Sequence, residues 1–394
     1  MKRIALLLLG LALSNGIFAA DARLRQALDH FMNLEYGEAL ELFRKRAAER
    51  PEDLEARNCV AQTILYRELY RVGALESELV SGSNPFLRRP KVDPGEEDRK
   101  EFSDAVNWVI ERAEKRLESD PDDVRALYLG GVAYGLRSNY NFLIEKAWMD
   151  ALGDATKSRK MHSRVVQMNH GHIDARMIPA MHEYVVGSLP WYIKMVGFLA
   201  GFRGDKELGI KELELVASRG GDNLHNARVL LCAVYRRERR PADAVPVLKV
   251  LIDDFPRNHL FRLELVQMYS DLEKKDEALA VLRQMQELKR SGAPGYNDLP
   301  EEKILFSRGT LLFWYRDYEQ ARQDLRRVTA NPEELTLNNA VLAWLRRGQI
   351  ADLLGQREEA LTAYREAIRL APESDHAGQA RDFLRKPSTE KTKT

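Results

Sequence analysis

The chain has 394 residues, with 61 Lys and Arg against 60 Asp and Glu, a formal net charge of +1, and two cysteines. So even a balance lacks the basic surplus of a nucleic-acid binder, and two cysteines exclude a four-thiolate zinc site. Charged residues make up 31% of the chain, interspersed as on the solvated faces of amphipathic helices.

Residues 1–20 read as a signal peptide. Lys2 and Arg3 form a positive start, Ile4 to Ala12 an apolar core, and Ala19 and Ala20 offer small residues for cleavage. The core falls short of the roughly 20 apolar residues that a membrane-spanning helix needs, and no Cys follows it for lipid attachment. Loss of Lys2 and Arg3 leaves 59 basic against 60 acidic residues, a charge of −1. The expectation is a periplasmic or secreted protein with no stable membrane span after cleavage, open to peripheral association with the envelope. Cys59 and Cys232 lie in separate apolar helical patterns and are expected to be buried as small hydrophobes.

Past the signal, Tyr36, Ala39, Phe43 and Pro51 mark a first helical unit. Ser81 to Lys100, with Pro85, Pro90, Pro94 and Gly95, is expected to be a long polar loop. Pro121, Leu127, Gly130, Gly131 and Tyr134 close one unit and open the next. From His172 the pattern stretches. Asp174-Ala175-Arg176 opens a helix, and its partner helix waits until Asp205, with Gly209, Leu213 and Val216 in its late positions. Between them Val185 to Phe202 is apolar apart from Ser188 and Lys194.

The regular part follows. Leu231, Tyr235, Ala244, Leu248 and Pro256 form one unit, and Leu265, Tyr269, Ala278, Leu282 and Met285 another. After a loop at Lys289 to Pro300 come Gly309, Tyr318, Ala321, Leu325 and Pro332. The last unit carries Trp344, Gly348, Ala360, Tyr364, Ala367 and Pro372, with the polar turn Gly355 to Glu359. Small Gly348 and Ala360 allow two helices to cross closely, Tyr364 fills the space beside them, and Pro372 ends the second helix. Ala377, Ala380, Phe383 and Leu384 fit a capping helix.

These spacings resemble the tetratricopeptide repeat, a helix–turn–helix unit of about 34 residues. Arg347 and Ala351 stand where the family has Leu and Tyr. The resemblance implies an all-α, superhelical solenoid of antiparallel helix pairs, interrupted by the apolar insertion at 185–202. It divides the chain into a degenerate region at 21–222, a regular array at 223–385 and a disordered tail at 386–394. The segment from Asp174 to Gly220, with Leu189-Pro190 and the turn Gly201 to Asp205, also resembles tetratricopeptide proteins related to the yeast inclusion-body clearance protein and envelope-associated bacterial relatives. That implies a shared architecture and no shared activity.

Catalytic patterns fail on inspection. His162, His170, His172 and His182 cluster in sequence near Asp174 and Glu183, a donor set that zinc or copper could use. Yet His182-Glu183 is followed by Val186 where a zinc-protease helix needs a second His. Gly130-Gly131 to Gly135 lacks the Lys of a phosphate loop, and no G-x-S-x-G elbow is present. No catalytic, cofactor-binding or metal residue is therefore assigned.

In the tetratricopeptide family the first helix of each unit lines the concave groove. Carried over residue by residue, that register turns Tyr128, Arg176, Glu183 and Arg236 toward a groove, followed by Gln267, Lys303, Phe306, Thr310, Phe313, Gln349 and Asp352. The mixture of polar, charged and aromatic groups suits a peptide or a helix. The leading expectation is an exported, non-catalytic adaptor for a protein or peptide. The alternatives are a carrier of an apolar, lipid-like ligand held by 185–202, and a metal-dependent enzyme built on the His162–His182 cluster.

Overall fold

A computed structural model describes residues 22–75, 92–189 and 204–389. The signal segment 1–20 lies outside the described residues, as do residues 190–202 of the apolar insertion at 185–202. The described residues are all-α, with no strand among them.

The chain divides into two compact units, Met1–Pro256 and Arg257–Thr394. In the first, helices run α1 (Ala22–Met32), α2 (Tyr36–Glu49), α3 (Leu54–Arg71), α4 (Glu96–Ser119), α5 (Val124–Tyr140) and α6 (Trp148–Met168). They continue as α7 (Met177–Gly187), α8 (Lys206–Arg219), α9 (Leu224–Arg237) and α10 (Pro241–Asp254). The second unit holds α11 (His259–Asp271), α12 (Lys275–Arg290), α13 (Glu301–Trp314), α14 (Tyr318–Ala330), α15 (Leu337–Leu353), α16 (Arg357–Leu370) and α17 (Asp375–Arg385). Each odd-numbered helix up to α15 packs on its successor, and α17 closes against α16. The first unit runs through α10, and within it α8 packs directly on α9.

Close helix crossings sit where the small residues predicted them. A Cβ at Gly348 would fall 2.6 Å from Tyr364 Cδ1, so α15 and α16 approach to ring contact. At Gly209 it would fall 2.5 Å from the backbone nitrogen of Tyr184 and 2.7 Å from the Ala180 oxygen, which draws α8 onto α7. Leu213 and Val216 are buried behind that contact, so the stretched central unit does close into a helix pair.

The turn inside five of the pairs repeats more faithfully than the side chains do. Leu34, Arg239, Glu273, Arg316 and Gly355 all take left-handed φ values, from 56° to 74°. The next residue's N–H then reaches back five positions: Glu35 to His30 O, Arg240 to Tyr235 O, Lys274 to Tyr269 O, Asp317 to Leu312 O and Gln356 to Ala351 O, at 2.7 to 2.9 Å. This main-chain closure satisfies carbonyls that a helix end would otherwise leave unpaired.

Two expected irregular stretches lie partly outside the described residues, at 81–91 and 390–394, and their described parts are more ordered than expected. The loop placed over 81–100 ends at Gly95, whose φ of 83° starts α4. Glu96, Glu97 and Asp98 then occupy the first turn, where negative charge offsets the helix dipole. The tail placed over 386–394 is tied at its start. Ser388 is buried and donates its backbone N–H to Asp352 Oδ2 at 2.7 Å. Cys59 and Cys232 are both buried, and burial pushes the Cys59 thiol well up.

Candidate functional site

In the second unit, α13 buries Ile304, Leu305, Leu311 and Leu312. Gly309 lets α13 close on α14, since a Cβ there would meet Leu325 Cγ at 2.9 Å. With that side committed, the helix ends on two aromatics. Phe313 is half-buried, edge-on to Trp314 at 5.5 Å between centroids, and Trp314 is 57% exposed. An indole this open is one of the largest apolar surfaces the unit presents to solvent.

Arg346, from α15, lies against both rings, with its guanidinium carbon 4.6 Å from the Phe313 centroid and 4.6 Å from that of Trp314. Nη1 donates to Gln349 Oε1 at 2.7 Å, and the buried Nε finds no hydrogen-bond partner. Burial lowers its pKa to about 10, as expected when a cation is desolvated without a carboxylate beside it. The rings return part of that cost, since an arginine over an aromatic face gains about 0.5 to 2 kcal/mol. The arrangement offers a recognition surface: an exposed indole, a second ring and a partly exposed cation. It holds no arrangement of nucleophile and base.

A family model of the tetratricopeptide repeat matches residues 341–374, and a second matches 234–293. Those two segments carry tetratricopeptide repeats. Among solved structures it is similar to the APC/C hetero-tetramer Cut9–Hcn1, with 13% identity and a TM-score of 0.51 over 94% of this chain. It spans 56% of the length of that chain, and the likeness shows a shared helical-repeat fold. Further similarities are to a tetratricopeptide repeat protein from Parabacteroides merdae (11% identity, TM-score 0.33, 82% of this chain and 97% of that one) and to yeast Tom70 (12%, 0.38, 92% and 87%). No curated protein sequence gives a significant match.

The repeat protein distributes the groove residues unevenly. Phe313 is in the site just described, and Thr310 stands one turn before it, half-buried, with its hydroxyl unpartnered. Gln349 is buried and serves as the acceptor for Arg346. Lys303 and Gln267 are half-buried, and Gln267 donates to Asp271 at 2.8 Å.

Phe306 and Asp352, expected toward a groove, are interior. Phe306 packs in the apolar core with Leu305, Leu312 and Ala343. The Asp352 side chain is 0% exposed and accepts from Arg357, Tyr364 and Ser388. Both corrections share a cause: the register gives a direction from the helix axis and is blind to what later segments lay over it.

In the first unit Tyr128 is 2% exposed, and its hydroxyl accepts from Asn223 Nδ2 at 2.9 Å. The ring expected to face a groove is thus covered by a segment 95 residues downstream. Arg176 bonds Glu212 and the His170 carbonyl, Glu183 accepts the Asp205 N–H, and Arg236 is half-buried.

The histidines do not converge. His162 is fully buried, donating Nδ1–H to the Ser158 carbonyl, while His170 is exposed. His172 packs its ring 4.8 Å from that of Tyr128, and neither nitrogen of His182 finds a hydrogen-bond partner. Burial lowers the pKa of both His162 and His182 to about 4. Among the described residues no group of three His, Cys, Asp or Glu is placed to hold a metal. No helix among them is long and apolar enough to cross a membrane.

Arg346 and Trp314 were not singled out by sequence reasoning, although both adjoin marked positions. Trp314 follows Phe313, and Arg346 lies two residues before Gly348. A tryptophan at a polar helix end was the available signal.

Proposed function

We propose that this chain is an exported tetratricopeptide-repeat scaffold that binds a protein or peptide partner and catalyses no reaction. The observation that supports it most is the exposed Trp314 held beside Phe313 and Arg346, since aromatic and arginine anchors dominate binding energy at protein interfaces. The half-buried Thr310, one turn before Phe313, supplies a polar group beside these anchors. Export rests on Lys2, Arg3, the apolar run and the small residues Ala19 and Ala20. The test is photo-crosslinking in the producing cell from a probe at position 314, with a probe at the exposed Val250 of the first unit as control. A dominant protein adduct from 314 and none from 250 is expected, whereas monomer alone, with probes proven reactive, rejects the reading. N-terminal sequencing of the recovered protein tests export, and a chain that still begins at Met1 rejects it.

A further inference from the structure

Several arginines of the second unit are paired with carboxylates. Arg308 forms a two-pronged pair with Asp324 at 2.7 and 2.6 Å. Arg326 and Arg347 share Glu359, Arg357 takes Asp352, and Arg322 takes Glu319. Arg346 departs from this pattern, with a neutral amide, two rings and an Nε that donates to nothing.

Its surroundings add no negative charge on the guanidinium. His376, on α17, is close enough for the arginine to oppose its protonation, a weaker effect there than burial. Asp375, the acid of that corner, acts on His376. The Nδ1 of His376 and the hydroxyl of Thr310 are buried without hydrogen-bond partners. A cation removed from water and left without a counter-ion is costly, and the deficit is met when an anion arrives from outside.

We propose that this face receives an acidic side chain, Asp or Glu, from within a partner polypeptide, its carboxylate pairing with Arg346 while an adjacent apolar residue covers Trp314. This rests on the scaffold reading above and names the chemistry of its partner. A single guanidinium matches a single negative charge, whereas a phosphorylated residue brings nearly two and calls for a second cation. Guanidinium and carboxylate meet through paired, charge-assisted hydrogen bonds. The open indole beside them calls for chain that continues past the acid, which favours an internal residue over a chain end.

The test uses the full chain and a bead library of N-acetylated, C-amidated peptides in which acidic, amide and apolar residues vary, with a matching library ending in a free carboxylate. Acid beside an apolar residue should be enriched from the amidated library. The best binder is then measured by fluorescence anisotropy against wild type, Arg346→Gln, Arg346→Lys and Trp314→Ala, each checked for an unchanged unfolding midpoint. Arg346→Gln should weaken the acidic peptide about tenfold or more and hardly affect its Glu→Gln counterpart, with Arg346→Lys recovering part of the loss. An acid preference that survives Arg346→Gln, or enrichment without acid, overturns the proposal. So does enrichment confined to free chain ends. In those cases, dependence on Trp314 leaves the scaffold reading standing. Should no peptide respond to Trp314→Ala, that reading of the face fails as well.

Discussion

Replacing Asp352 by Ala separates a structural role from a binding role. Its side chain is fully buried and accepts four hydrogen bonds: two from Arg357 Nη1 at 2.8 and 3.0 Å, one from the Tyr364 hydroxyl at 2.8 Å, and one from the Ser388 N–H at 2.7 Å. Removing one partner of a buried ion pair costs about 3 to 5 kcal/mol. Here Arg357 is 30% exposed and keeps its bonds to the Phe383 and Leu384 carbonyls, which lowers the electrostatic share. The stranded tyrosine hydroxyl and Ser388 N–H add about 1 kcal/mol each, so a total near 3 kcal/mol is expected. Hydrogen exchange across residues 337–388, with urea unfolding followed by tryptophan fluorescence, should show that loss concentrated in α15 to α17. A cycle with Arg357→Met should recover 1 kcal/mol or more of it as coupling, in line with about 0.5 to 3 kcal/mol for groups in contact. Unchanged exchange and midpoint would refute the structural assignment, and a loss of partner binding at full stability would return Asp352 to a groove.

Three further expectations concern packing and charge. Gly348→Ala drives a methyl into the Tyr364 ring and should cost about 2 kcal/mol, read as a lowered thermal midpoint; an unchanged midpoint would show that the ring can move aside. Gly209→Ala meets the backbone of α7, which cannot rotate away, so the loss should be about 3 kcal/mol with faster exchange across 177–219. Asp222 is pushed up to about 7, first by burial and then by Glu55 and Asp174. The folded chain therefore holds a proton between about pH 4 and 7 that the unfolded chain has released, and the stability from this group is lost as pH rises through 7. Allowing for solvent screening, Asp222→Asn should stabilise by about 1 kcal/mol at pH 8 and much less at pH 5; equal urea midpoint shifts at the two pH values would contradict it.

The parts of the fold written in local spacing could be read in advance. Gly348 and Tyr364, or Gly209 and Leu213, lie where a fixed helical register demands small and large residues. Gln349 and Asp352 share that register, yet their surroundings depend on Arg346, Arg357 and Ser388, whose placement only the folded chain supplies. Tyr128 was misplaced for the same reason, as Asn223 reaches it from a distant repeat. The histidines looked like a cluster because they are close in sequence, but His162 points inward from α6 while His170 lies past the end of that helix, exposed. Arg346 escaped notice because, in the pair Arg346-Arg347, nothing in the sequence marks which of the two lacks an acid.

The left-handed turns bear on how such a chain can diverge. Four of those five joints are occupied by leucine, glutamate or arginine, residues that hold the conformation at a cost of about 1 to 2 kcal/mol each. The bond that fastens each joint runs between main-chain atoms, which every residue other than proline can supply. The elbow between two helices is thus indifferent to the side chain it carries, and successive copies can drift apart in sequence while the bend is inherited intact. In these five pairs what is copied is a path of the backbone, which outlasts the side chains laid along it.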